Sequence, residues 1–333
     1  MKILVSGSDL KDSQKRDLET AVDKLDPLSL RAPEEQIGDI EIAYLDDENA
    51  LQSNINKGQI LCTNYFSDDL LAAASDLEWI HYLSAGVEDL VTDKLRESDI
   101  IVTNSKGVSA TPAAEHVFAL MLAFSRRLHR TTLNQMTRTW DRDTEMPYLT
   151  KLSKKTICIV GLGNIGQAVA KRADCFGMTV HGIRKNVEKK SPGVSEIASP
   201  ENMNNLLSEA DYVVLALPLT DETRGIIGPE TLSTMKETAI LINVSRGEVL
   251  QQGPLIEALK EGSIGGAGLD VFKEEPLPEE SPLWGMENVI VTPHFAGLSD
   301  DYLQVALNLF WENLEKYLRG ERLINEVDLQ TGY

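Results

Sequence analysis

Positive charge is in short supply in this 333-residue chain: 32 Lys and Arg stand against 52 Asp and Glu, a formal net charge of −20 at pH 7. A surface that holds a nucleic-acid backbone needs a basic stripe to displace counterions, so this balance argues against such a partner. Cysteine is sparse too. Cys62, Cys158 and Cys175 are odd in number and widely spaced, and none forms a C-x-x-C pair. Neither a disulfide framework nor a zinc site is indicated, so no metal is expected, and all three read as buried small hydrophobes of a reducing compartment. Long apolar runs are missing: the longest, VFALMLAF (117–124), is far short of a bilayer span. The N-terminal MKILVSGSD offers one Lys and a three-residue apolar stretch, which is a strand and a turn rather than a secretory signal. A cytoplasmic protein without a membrane partner is the expectation. Short-period repeats and low-complexity tracts are also lacking.

What is present is alternation. Candidate strands fall at 2–6, 41–45, 59–63, 79–83, 99–104, 156–161, 179–183, 212–217, 239–244, 266–271 and 289–294, with helical patterns between most of them. That order is the signature of βαβ units and parallel sheets. The length suits two domains, and a hydrophobic content of 42% suits two cores. One strand series runs from Met1 to about Asn104 and a second from about Lys151 to His294. Between them AAEHVFALMLAFSRRLHR (113–130), introduced by Thr111 and Pro112, predicts one long helix. Its middle is apolar nearly all round, so a subunit interface or burial between domains is expected to cover it. Arg126, Arg127, His129 and Arg130 at its end are expected to answer the helix dipole and solvent. A last helix at 300–320, stopped by Gly320, is placed to return to the first domain and make it discontinuous.

The strongest local signal is TICIVGLGNIGQAVAKRADCFGMTVHG. Gly161, Gly163 and Gly166 follow an apolar β-branched strand, open a helix and lead to a second strand, the setting a dinucleotide fingerprint requires. The glycines permit the turn, a close approach to the pyrophosphate on the helix N-terminus, and tight helix–strand packing. Asn164 and Ile165 lie within the turn. At the end of the second strand, where an acidic residue would accept from the ribose of NAD, the sequence reads GIRKN. Arg184, with Lys185 beside it, suits a 2′-phosphate through parallel N–H bonds. NADP(H) is therefore the preferred cofactor, with NAD(H) as the alternative.

Three stretches follow, each at or just past a strand's C-terminal end: INVSRGEVL (242–250), GLDVFKEEPLP (269–278) and NVIVTPHFAG (288–297). With GLGNIG, they resemble the D-isomer-specific 2-hydroxyacid dehydrogenase family across nearly the whole chain. The resemblance implies two Rossmann-like α/β domains, each a doubly wound parallel sheet, one flavodoxin-like and one dinucleotide-binding, with a cleft between them. It places a substrate-binding domain at 1–106 plus 297–333 and the dinucleotide-binding domain at 107–296, with hinges near Asn104–Thr111 and His294–Gly297. It implies NADPH-dependent reduction of a small 2-keto acid to the D-2-hydroxy acid, in a homodimer.

In that reading Arg246 pairs with the substrate carboxylate and polarises the carbonyl. His294 is the general acid and base, and Glu275, directly before Pro276, orients the imidazole. Glu274 is expected to be solvated. Asp270 matches the family position that contacts the nicotinamide carboxamide. Leu217, Pro218, Thr223, Val244 and Ser245 match further cofactor positions. Ser84, Ala85, Gly86 and Val87, in HYLSAGVEDL (81–90), match the loop whose N–H groups hold the substrate carboxylate, and Tyr65 is a pocket wall. Asp68 and Asp69 nearby argue for unphosphorylated keto acids. His81, His116, His129 and His181 read as structural. A second class stays open: relatives of this fold act as dinucleotide-sensing corepressors.

Overall fold

The computed structural model describes residues 1–7, 10–23, 40–87 and 90–330. Ser8 and Asp9 of the turn expected after the first strand, and Glu88 and Asp89 of the 81–90 stretch, lie outside the described residues. Contacts divide the chain into two units, Met1–Val108 with Ser299–Tyr333, and Ser109–Leu298.

The first unit is built on five parallel strands: β1 (Lys2–Ser6), β2 (Glu41–Leu45), β3 (Ile60–Thr63), β4 (Trp79–Tyr82) and β5 (Ile101–Asn104), in the order β2-β1-β3-β4-β5. Side chains alternate between two buried faces. Ile3, Val5, Ile60, Cys62 and Trp79 pack with Ala306, Leu307, Phe310, Leu314 and Leu318 of the last helix, Tyr302–Arg319. Leu4, Leu61 and Ile80 face the other way, onto Leu51, Ile55, Leu70 and Leu95. A strand buried on both sides must be apolar at successive positions, which is why these segments read as continuous runs.

The second unit carries seven parallel strands: β6 (Thr156–Val160), β7 (Thr179–Ile183), β8 (Glu196–Ala198), β9 (Tyr212–Leu215), β10 (Ile240–Asn243), β11 (Gly266–Leu269) and β12 (Val289–Val291), ordered β12-β11-β10-β9-β6-β7-β8. Ile157, Ile159, Val214 and Ile242 pack with the helices Ala110–Ser125 and Asn164–Cys175 on one face. Cys158, Val160, Val213 and Leu241 meet Leu206, Leu207, Leu255 and Leu259 on the other.

All eleven expected strands form, several trimmed at the C-terminal end where the chain leaves the ladder to build loops. β8 was not foreseen: one exposed and two half-buried residues at a sheet edge leave no hydrophobic pattern to read. The expected helix over 113–130 is in fact two. It breaks after Ser125, where Arg127 takes a left-handed backbone (φ 58°), and resumes as Leu128–Met136. Its apolar faces are covered by its own unit: Ala114, Val117, Phe118, Leu120 and Met121 belong to the sheet–helix core, so no second subunit is needed to bury them. Of the cations after it, Arg127 and Arg130 answer acids, since Arg127 Nε donates to Glu145 (2.7 Å) and Arg130 reaches Glu145 and Glu287. Arg126 donates to the Thr150 carbonyl, and His129 meets the helix end as expected, its Nδ1 lying 3.1 Å from the Ala123 carbonyl. Cys175 is exposed, against expectation, while Cys62 and Cys158 are buried. Among the described residues, no helix is long and apolar enough to cross a membrane.

Candidate active site

Parallel strands bring every strand's carboxyl end to one edge of the sheet. In the second unit the chain order reverses at β6, which lies between β9 and β7, and open α/β sheets bind ligands at such a switch point. The GLGNIG turn leaves the sheet there. Gly161 has φ 102°, and a Cβ on it would stand 2.5 Å from the Ala216 carbonyl oxygen. A Cβ on Gly166 would stand 2.0 Å from the Gly161 oxygen, so the first helical turn lies against the strand end only because that atom is missing. Gly163 differs: its would-be Cβ meets nothing within 4 Å. It is the N-cap of the helix Asn164–Cys175 and makes no side-chain cap bond. The first N–H groups of that helix therefore face open space from a positive dipole end, which fits a pyrophosphate.

Arg184 leaves β7 toward this turn. Its Nη2 donates to the Leu162 carbonyl (2.8 Å), and Nη1 donates to the Lys189 carbonyl (2.8 Å) and Ser191 Oγ (3.2 Å). The guanidinium thus braces the glycine turn against the loop after β7, with one Nη2–H and the Nε–H left over among the described residues. Lys185 is exposed and forms an ion pair with Glu222. Glu222 adjoins Thr223, whose hydroxyl donates to the Pro218 carbonyl (2.7 Å) and ties the loop after β9 to itself. Leu217 and Val244 are core side chains, so they can offer a ligand little beyond their backbone.

At the end of β10, Asn243 is fully buried and bonded through both ends of its amide. Its Oδ1 accepts from the Ser245 N–H (3.1 Å) and Ser245 Oγ (2.9 Å), and its Nδ2 donates to the Arg246 carbonyl (3.0 Å). The loop bearing Arg246 is fixed by these bonds, and the guanidinium donates through Nη1 to the Ser245 carbonyl (2.8 Å).

His294 and Glu275 meet directly: Nδ1 lies 2.7 Å from Glu275 Oε2, while Glu275 Oε1 accepts from the Phe272 N–H (2.8 Å). An ionised carboxylate only accepts, so Nδ1 carries the hydrogen and Nε2 is left to exchange a proton. Glu274 is exposed. His294 sits at φ 50°, a left-handed conformation that costs a non-glycine residue about 1–2 kcal/mol. Asp270, 1% exposed, holds it there. The Asp270 carbonyl accepts the His294 N–H (2.8 Å), Oδ1 accepts from Thr292 Oγ1 (2.6 Å) and the Phe295 N–H (3.2 Å), and Oδ2 accepts the Ala296 N–H (2.9 Å). The carboxylate is thus engaged inside the protein. Sequence reading missed Asn243 and Thr292; a polar residue ending an apolar strand was the available signal for both.

In the other unit, Tyr65 follows β3 and is exposed, its backbone carbonyl and N–H both bonded to Thr63 Oγ1. Ser84, Ala85, Gly86 and Val87 follow β4. Their loop is pinned through its carbonyls: Ser105 N–H donates to Ser84 (3.1 Å) and Asn104 Nδ2 to Ala85 (2.8 Å). Among the described residues none of the four N–H groups donates within the protein, the condition for holding an anion.

Residues 118–296 match the family model described as D-isomer specific 2-hydroxyacid dehydrogenase, NAD binding domain. The chain belongs to the D-isomer specific 2-hydroxyacid dehydrogenase family. It is 37% identical over 276 residues to a glyoxylate reductase of Korarchaeum cryptofilum, covering 80% of this chain and 81% of that one. It is 35% identical over 298 residues to a D-3-phosphoglycerate dehydrogenase of Methanocaldococcus jannaschii; the match covers 89% of this chain but only 56% of that longer relative. A solved structure of a D-isomer specific 2-hydroxyacid dehydrogenase from Xanthobacter autotrophicus Py2, in complex with NADPH and MES, superposes with a TM-score of 0.80 at 28% identity over 99% of both chains. Membership makes this chain an oxidoreductase with a nicotinamide cofactor, and these likenesses favour the enzyme over the corepressor.

Proposed function

We propose that the protein reduces a small, unphosphorylated 2-keto acid to the D-2-hydroxy acid with NADPH. The observation that carries the reading is the 2.7 Å pair between His294 Nδ1 and Glu275 on a turn clamped by Asp270. An imidazole oriented in this way presents Nε2 as a proton donor, and such a positioned acid contributes roughly 10²–10⁴-fold. Glu275 offsets the positive charge of the imidazolium before the proton leaves. Arg246 takes the substrate carboxylate and polarises the keto oxygen, while the undonated N–H groups of Ser84–Val87 are the first unit's own candidate for holding an anionic substrate group. When bound, the reduced nicotinamide supplies the hydride to the carbonyl carbon. The turn at Gly161–Gly166 would hold its pyrophosphate, and the two remaining Arg184 donors its 2′-phosphate. Asp270 would then serve the nicotinamide side through the turn it braces. The related glyoxylate reductase and the NADPH-bound structure support this choice of substrate class and cofactor.

A homodimer is part of the proposal. Leu128, Leu133, Met136, Trp140 and Tyr148 form an exposed apolar stretch of a kind that marks an interaction surface. Steady-state rates with NADPH and NADH against glyoxylate, hydroxypyruvate, 2-ketoisocaproate and phenylpyruvate test the function. Turnover of at least one keto acid, faster with NADPH, is expected. No turnover with any of them, together with tight peptide binding, would return the corepressor.

A further inference from the structure

His116 read as structural in the sequence, far from every motif. In the structure it stands in the helix Ala110–Ser125, flanked by the buried Ala113, Ala114 and Val117, and its ring reaches the catalytic turn. His116 Nε2 lies 3.0 Å from Thr292 Oγ1 and 3.8 Å from Asp270 Oδ1, and its ring forms a T-shaped pair with Phe295, the centroids 5.4 Å apart. The direction of each bond follows from what each group can do. The Asp270 carboxylate accepts, so Thr292 Oγ1, 2.6 Å away, donates its only hydrogen there. That hydroxyl is then free only to accept from His116, which fixes the hydrogen on Nε2. Burial pulls the His116 imidazole below its ordinary range, opposed by the Asp270 charge, which favours the neutral ring in this role.

We infer that His116 is a positioning residue for the proton donor: through Thr292 and Asp270 it anchors the left-handed turn of His294 to the rigid helix Ala110–Ser125. The inference rests on the reading of His294 as the acid. Asp270 alone clamps the turn from β11. His116 supplies the second fixed point, from a different element, and Phe295, the residue after His294, packs on its ring. Losing that point leaves a strained turn held from one side. The imidazole then samples orientations that do not face the keto oxygen, a loss that falls on turnover rather than on dinucleotide binding.

The experiment uses the full chain with NADPH and its best keto acid. It measures kcat, KM and the NADPH dissociation constant for His116→Leu, His116→Gln, Thr292→Val and His294→Asn. His116→Leu and Thr292→Val are expected to lower kcat about fivefold to tenfold, the weight of one buried neutral hydrogen bond, with the NADPH dissociation constant within about twofold. His116→Gln, whose amide nitrogen sits where Nε2 was, is expected to recover to within about twofold of the unsubstituted kcat. Unchanged kcat in both His116→Leu and Thr292→Val overturns the inference, as does His116→Gln falling as far as His116→Leu. Weakening of NADPH binding in step with kcat also overturns it. If His116→Leu does not fold, the nearly isosteric Thr292→Val decides by the same criteria. His294→Asn separates the two readings. Its loss of turnover with His116→Leu unaffected overturns the His116 inference alone, whereas its retention of turnover overturns both.

Discussion

Replacing Arg184 by Ala removes two kinds of bond at once. Three N–H groups hold the Leu162 and Lys189 carbonyls and Ser191 Oγ, and these brace the site for any dinucleotide. The remaining Nη2–H and Nε–H are the ones available to a 2′-phosphate. Hydrogen bonds to a charged group are worth about 1.5–3 kcal/mol each, and the half-buried setting keeps the pair toward the lower end. Together about 2–3 kcal/mol is at stake, or roughly 30- to 150-fold. The bracing loss strikes NADPH and NADH alike, so the ratio of the two kcat/KM values isolates the phosphate contribution. Initial rates followed by the absorbance of the reduced nicotinamide give both values. The NADPH/NADH ratio should fall by that factor in Arg184→Ala. An unchanged ratio, or equal efficiency with both cofactors in the unsubstituted enzyme, would refute the assignment.

Other expectations rest on separate features. Asn243→Ala strands the buried Ser245 N–H and takes from the Arg246 carbonyl the shorter of its two hydrogen bonds, so a destabilisation of about 1–3 kcal/mol and a fall in kcat/KM for the keto acid are expected, read by urea titration and steady-state rates. Gly161→Ala forces a Cβ to 2.5 Å from the Ala216 oxygen at φ 102° and should cost about 2–3 kcal/mol, a drop of roughly 5–10 °C in calorimetry. His81 links the first unit to pH. Burial pushes its imidazole from 6.5 down to about 3, so between these values the unfolded chain binds a proton that the folded chain does not. Its contribution to stability is full above about pH 6.5 and is lost as the pH falls through that window, by up to ~1.4 kcal/mol per unit. Unfolding free energies at pH 7.5 and 5.5 should therefore diverge less in His81→Gln than in the unsubstituted protein.

The strands were legible because strands buried on both faces leave short apolar, β-branched runs, whereas the long apolar run VFALMLAF forms a helix. β8 was not, since an edge strand of three residues, Glu196–Ala198, is shaped by its neighbour β7 and not by its own pattern. The break after Ser125 gave no warning either: neither Gly nor Pro marks it, and an arginine takes the left-handed position. Among site residues, Arg246, Glu275 and His294 stood out because each lies in its own motif just past a strand. The groups that hold them in place did not. His116 and Thr292 are 176 positions apart, and only the fold makes them neighbours. Arg184 was visible as a charge at a strand end, but the carbonyls it braces were not. Its share between structure and ligand depends on loop paths that periodicity cannot supply.

His294→Asn is the most direct test. Asparagine tolerates the left-handed backbone at this position and can still donate to Glu275, so the turn survives while the exchangeable Nε2 is lost. Keto acid turnover should fall by at least about 10²-fold with the NADPH dissociation constant unchanged. Turnover close to that of the unsubstituted enzyme would contradict His294 as the source of the proton.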